Sequence, residues 1–175
     1  ALGFHRQNQD IFNSPCAPAI ERYTGVVYEH IEWATLSEKA KKYMEEYVFI
    51  FSGLFGMVTP MTPIPDYKLK MNVLSLQHHW NPILSEALQD EKPIIDLLPQ
   101  VHRKAYKPNK KNVTPVDFLI INKGKKTAAG HFGKAVKGEF IRHMAENNVT
   151  SVDEFSGFEY DGFKWDGTSF IKEEN

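Results

Sequence analysis

The chain has 175 residues and a formal net charge of −1, with 42% hydrophobic and 13% aromatic residues. That length allows one domain able to bury about 70% of the surface its unfolded form would expose, and the aromatic content excludes a disordered chain. The longest apolar runs, such as Tyr47 to Phe51, are strand-sized, so no membrane span is expected.

The first residues, "ALGFHRQNQD", carry neither an initiator Met nor a secretory pattern, and read as an internal start with further sequence expected upstream. Residues 1–20 lack periodicity, and "NSPCAPA" predicts a turn leading into a short helix that ends near "ERYTG". The single cysteine, Cys16, excludes an intramolecular disulfide and fits a reducing compartment, so a cytoplasmic location is expected. Its flanking prolines favour a loop shaped for structure over a reactive thiol, which would need a cation close by to lower its pKa.

From Ser37 the segment "SEKAKKYMEEYV" begins with an N-cap residue and places Ala40, Tyr43, Met44 and Tyr47 at helical spacing. A buried strand, "VFIFSGLFG", and a rigid prolyl loop, "TPMTPIPDY", follow. "HHWNPILSEALQD" predicts a helix capped by Asn81 with Pro82 in its first turn; "PIIDLL" is a strand and "PQVHRKAY" a short helix.

"VDFLIINKGKKTAAGHF" predicts a β-hairpin turning at "NKGK". In the helix after it, Phe132, Val136, Phe140 and Met144 recur along one face, with Lys134, Lys137 and Arg142 off that stripe. Ser151 and Glu154 have the spacing of a capping box, and two Asp-Gly turns near the C-terminus predict a meander or hairpin. The class is therefore mixed α/β (α+β), a single domain over residues 1–175.

The charge is unevenly distributed. Between Val101 and His143 there are eleven Lys and Arg against Asp117 and Glu139, or +9, while the remaining residues sum to −10. Such a split either steers a polyanion to one face or lets opposite charges meet and cancel in the fold. The densest basic stretch, Asn122 to Phe140, has the wrong glycine spacing for a nucleotide-binding phosphate loop and lacks its hydroxyl. A strand-to-helix junction at Gly130 to Gly133, with Lys134 and Lys137, would still offer backbone N–H groups and charge to a phosphate oxygen. Gly138 either admits a partner's backbone or packs closely on a neighbouring element.

Other chemistry finds little support. His78 and His79 are adjacent, which suits no helical metal site, and His102, His131 and His143 are scattered; His143 reads as a hydrogen-bonded core residue. Ser52 lacks the glycine two positions ahead that a nucleophile elbow needs. No metal ligand set and no cofactor are expected.

Several blocks together resemble the YaaA family of bacterial peroxide stress proteins: "YTGVVYEHI", "SGLFGMVTPMTPIPDYKLKM", "LQHHWNPILSEAL", "DLLPQVHRKAY" and "GKAVKGEFIRHMAENNVTSVDEFSGF" followed by "YDGF". The resemblance covers Tyr23 to the C-terminus. It implies a mixed sheet with flanking helices, a cytosolic role in limiting hydroperoxide damage linked to lower free iron, and contact with double-stranded DNA through a positively charged cleft. The family's helix-hairpin-helix element lies in an N-terminal region outside this chain, which corresponds to roughly the C-terminal two-thirds of a member.

The family's basic helix pattern matches at Lys134, Lys137, Gly138 and Arg142. Its glycine motif matches at Ser52, Gly53, Leu54, Phe55 and Gly56, with Pro60, Tyr67, Lys68 and Met71 beyond, and Tyr28 and Trp80 also match. Departures fall at Val26, Thr59, Lys70, Pro99 and Val101, where the family carries other, mostly polar, residues. Valine neither accepts a proton nor binds metal, so chemistry resting on those positions should be absent here, whereas phosphate contact tolerates exchange of Lys for Arg.

The expected anion-contacting set is Lys68, Lys104, Lys107, Lys126, Lys134, Lys137 and Arg142, with Ser52, Gly53, Gly56, Tyr67 and Gly138 as motif positions, in a monomer that meets double-stranded DNA and no membrane. Two alternatives stand beside it. One is an enzyme for a small anionic metabolite, with Pro60 to Pro65, Tyr67, Lys68 and the Lys134 helix start lining a pocket. The other is a partner-binding module that has lost its chemistry.

Overall fold

The computed structural model describes residues 8–89 and 93–174. In chain order the elements are β1 (Ala17–Pro18), α1 (Ala19–Arg22), α2 (Val26–Ile31), α3 (Glu38–Tyr47), β2 (Ile50–Ser52), β3 (Gly56–Val58), β4 (Pro63–Ile64), α4 (Leu76–Ala87), β5 (Ile94–Asp96), α5 (Gln100–Arg103), β6 (Val113–Pro115), β7 (Phe118–Asn122), β8 (Lys125–Ala128), α6 (Gly130–Asn147), β9 (Glu159–Tyr160), β10 (Phe163–Trp165) and β11 (Phe170–Glu174). The chain is mixed α/β and closes on a strand meander, as its sequence predicts. It divides into two compact units, residues 1–22 with 48–114 and residues 23–47 with 115–175.

The first unit is built from short strand pairs: β1 with β4 and β2 with β3, both antiparallel, and β5 with β6. The prolines of the "TPMTPIPDY" loop explain the brevity of β4, because proline donates nothing to a ladder. Met71, Leu84, Leu88, Ala105 and Tyr106 form its buried cluster, with Phe51, Met57, Trp80 and Ile94 packed against it.

Helix α4 begins at Leu76, well before the expected cap at Asn81, so Pro82 sits inside it. Proline at that position forfeits the bond to the His78 carbonyl. The earlier start carries Trp80 to the β2–β3 turn, where its indole N–H donates to the Gly53 carbonyl at 3.0 Å, and that anchoring offsets the lost bond.

In the second unit, β8, β7, β11, β10 and β9 form one five-stranded sheet in that order. The β7–β8 hairpin turns through Lys123 (φ 48°) and Gly124 (φ 78°), both left-handed as a tight hairpin requires. The sheet's fifth member comes from the chain end: β11 lies parallel to β7, with Phe170 level with Phe118 and Glu174 level with Asn122.

Helix α6 covers one face of this sheet. Phe140 is fully buried, with its ring 4.7 Å from that of Phe170, 4.9 Å from Phe155 and 5.1 Å from Phe158. Val136 and Met144 are buried on the same stripe, but Phe132 remains 38% exposed. Phe132 lies in the helix's first turn, at the rim of the sheet, with Phe163 at 5.8 Å and the Lys172 ammonium 5.0 Å over its ring.

The expected Ser37 cap and Ser151–Glu154 capping box both form, the second over a 3-10 turn at Val152–Gly157. On α3, Ala40, Tyr43 and Met44 are buried, while Tyr47 is half-exposed against the Tyr43 ring.

Helices α2 and α6 pack at Gly138. A Cβ there would lie 2.4 Å from the Val27 carbonyl oxygen and 2.5 Å from His30 Cβ. Close packing is therefore the work of this glycine. Gly138→Ala should lower stability by about 1–3 kcal/mol despite alanine's better helix propensity, measured as a lower urea midpoint at an unchanged slope.

Candidate nucleic-acid interface

The expected cations divide between the units. Lys68, Lys104 and Lys107 are exposed in the first. Lys104 ends α5 and its carbonyl accepts from the Asn81 amide, while the Lys107 backbone N–H donates to Ser85 Oγ at 2.8 Å. Lys68 is held most firmly, because the Asn8 side chain accepts from its N–H at 2.8 Å and donates to its C=O at 2.9 Å.

The second unit gathers Lys123, Lys125, Lys126, Lys134 and Lys137 along the β7–β8 hairpin and the start of α6. Every residue of β8 is exposed, and β8 is an edge strand. In chain order the lysines make a strip that runs from the turn, along the edge strand β8, whose four residues span about 13 Å, to the first turns of α6; Lys125 and Lys126, being successive, face opposite sides of the sheet. Lys134 is exposed and makes no ion pair among the described residues. Lys137 is half-buried, its ammonium 6.0 Å over the Phe118 ring, and Lys126 meets Asp166 at 3.4 Å.

Arg142 does something different. Its Nη1 donates to the carbonyls of Ile31 (3.0 Å) and Glu32 (3.3 Å) and to Thr35 Oγ1 (2.9 Å), and Nη2 donates to the Thr35 carbonyl at 3.4 Å. Its donors close the end of α2 and the 3-10 turn Trp33–Thr35, which α2 leaves through Glu32 at φ 50°.

The acidic tail runs inside the sheet as β11. Glu173 and Glu174 are level with Ile121 and Asn122 of β7, so a whole strand separates them from β8. Asp166 is the carboxylate that Lys126 meets. It accepts from the backbone of Ser169 and Thr168 and from the Thr168 hydroxyl, and these bonds, with Lys126 as a smaller contribution, pull its pKa down to about 2.

The glycine motif forms a rigid turn in the first unit. Ser52, 2% exposed, accepts at Oγ from the N–H groups of Leu54 (3.2 Å) and Phe55 (3.0 Å) and lies 2.5 Å from the Tyr67 hydroxyl. A Cβ on Gly53 would meet the Leu69 carbonyl oxygen at 2.5 Å, and one on Gly56, at φ 74°, the Trp80 ring at 2.6 Å.

One buried network escapes sequence reasoning altogether. The Asp96 carboxylate, 5% exposed, accepts from the Leu98 N–H (2.7 Å), Arg103 Nε (3.2 Å) and the Tyr106 hydroxyl (2.8 Å). Burial first, and then the bond to Asp96, hold the Tyr106 phenol well above the usual tyrosine range. The available signal was an aspartate inside an apolar strand, which a buried chain position leaves in need of donors.

His143 donates or accepts at Asn147 and packs on Phe158, and burial lowers its pKa. His79 packs edge-on to Trp80, and Cys16 is exposed. Among the described residues no three His, Cys, Asp or Glu side chains converge as a metal site, and no helix is long and apolar enough to cross a membrane. A groove of about 330 Å³ in the second unit is lined by Glu38, Lys39, Lys42, Tyr43, Glu46, Tyr47 and Asn148, none of them in the expected site.

A family model described as "Peroxide stress protein YaaA" matches residues 3–169. Among curated proteins, UPF0246 proteins of Streptococcus pneumoniae strains 70585 and CGSP14 are each 29% identical, over 89% of this chain and 70% of the relative.

Two predictions follow from these contacts. Arg142→Lys loses the forked set of bonds and should cost about 1–3 kcal/mol of stability in denaturant unfolding. Because the Asp166 pKa is depressed, the stability it contributes is complete above about pH 4 and disappears as pH falls towards 2. Asp166→Asn should therefore flatten the acid limb of the unfolding midpoint measured against pH.

Proposed function

The chain belongs to the YaaA family of peroxide stress proteins, and from that premise we propose that it limits peroxide damage by holding DNA without sequence specificity along the lysine strip of its second unit. The family description itself supports a role in peroxide stress. The finer reading is supported by one observation: exposed lysines follow one another along the chain from the hairpin turn to the α6 start, and β7 lies between the β8 lysines and the acidic strand β11.

A row of ammonium groups on an exposed strand and helix start suits phosphates spaced along a backbone. It contains no planar fork for reading base edges, so it gives affinity without sequence preference. The start of α6 adds backbone N–H groups and the positive end of the helix dipole beside Lys134. Arg142, committed to carbonyls of its own unit, contributes through the scaffold. The iron-limiting arm of the expectation has no donor set among the described residues to rest on.

Duplex binding should weaken steeply as salt rises, and Lys134→Ala should reduce the slope of log affinity against log salt by about one unit. Electrophoretic mobility shifts across a salt series measure this. Absence of duplex binding at low salt would overturn the proposal.

A further inference from the structure

The turn of the glycine motif presents aromatic surface that contact with phosphates does not use. Phe55 is the last residue of the turn before β3, 38% exposed. Its ring is edge-on to that of Tyr67, with centroids 5.6 Å apart and planes at 86°.

Both rings are held from beneath. The two N–H bonds that Ser52 Oγ accepts leave its proton to Tyr67, which fixes the phenol at 2.5 Å. Gly53 lies against the Leu69 carbonyl and Gly56 on the Trp80 ring, so the backbone of the turn is closely packed on either side of Phe55. A large apolar ring is thus kept at the surface by a rigid support.

The flanking charge matches one kind of ligand. Lys68 and Lys70 are exposed just beyond Tyr67, and Lys70 borders Gly53. Asn8 holds the Lys68 backbone in place. From Ser52 to Lys70 the single carboxylate is Asp66.

We infer that this turn is a stacking site for an unpaired base of single-stranded nucleic acid, with Phe55 against the base and Lys68 and Lys70 beside the neighbouring phosphates. This rests on the nucleic-acid reading above, and adds a second mode located in the other unit. An aromatic face accepts any base because every base has a π-face, and adjacent cations follow the backbone; together they give sequence-tolerant binding of single strands. A duplex offers no free base face to such a site.

The test uses the full chain and three fluorescent ligands: a short oligothymidylate, an abasic strand of equal length, and a duplex. Phe55→Ala should weaken oligothymidylate binding roughly tenfold, leave the abasic strand and the duplex unchanged, and leave the thermal midpoint near that of the parent chain. Phe55→Trp should retain or tighten oligothymidylate binding. Equal affinity of the parent chain for oligothymidylate and abasic strand, or a Phe55→Ala effect common to all three ligands, would overturn the stacking site. If duplex binding persists and Phe55→Ala changes nothing, stacking alone falls; if no ligand binds at low salt, the nucleic-acid reading falls with it. Should Phe55→Ala unfold, Phe55→Trp with the abasic comparison still decides.

Discussion

The insertion of β11 between β7 and β10 organises the second unit. Phe170 enters the sheet beside Phe118 with the two rings stacked at 5.3 Å, and its other contacts are Phe140, Phe155, Phe158 and Trp165. An aromatic cluster of this kind is the largest apolar contribution available to a unit of this size, since each ring removes a large area from water. The same strand decides the electrostatics. By pairing parallel to β7 it places Glu173 and Glu174 in the middle of the sheet and leaves β8, with its lysines, on the outside. An exposed edge strand is protected from self-pairing by such lysines, because a second copy would set like charges opposite one another.

The basic residues of the 101–143 segment therefore separate into structural and available groups. Arg142 spends its donors on the carbonyls of Ile31, Glu32 and Thr35, which holds the end of α2 where Gly138 permits close approach. Arg103 meets the buried Asp96 carboxylate. Lys134 and the hairpin lysines are exposed, Lys126 also meeting Asp166. Guanidinium suits the first task because its planar fork satisfies several acceptors at once, and ammonium on a flexible stem suits the second.

In the first unit, hydroxyl and indole groups add to the apolar cluster. Short two-stranded pairs are weak alone, and the bonds among Ser52, Tyr67, Trp80 and Gly53 tie the β2–β3 turn to the loop and to α4. These contacts make the serine, tyrosine, tryptophan and glycines one interdependent unit in this chain.

Local features were legible in the amino-acid order. The β7–β8 hairpin, the α6 stripe, the Ser37 cap, the Ser151–Glu154 box and the Asp-Gly turns all depend on residues a few positions apart, and family likeness followed from short blocks in order. The α4 start was misplaced because Trp80 is rewarded by Gly53 and Gly56, some twenty-five residues away, and Phe132 fell outside the core because a helical period cannot tell where a sheet ends. Whether a lysine is free, whether an arginine is spent on its own scaffold, and whether an acidic tail masks a basic strip are settled only when distant segments pair. Charge along the chain is a sum over residues, whereas the field that a ligand meets depends on which side of the sheet each charge is carried to.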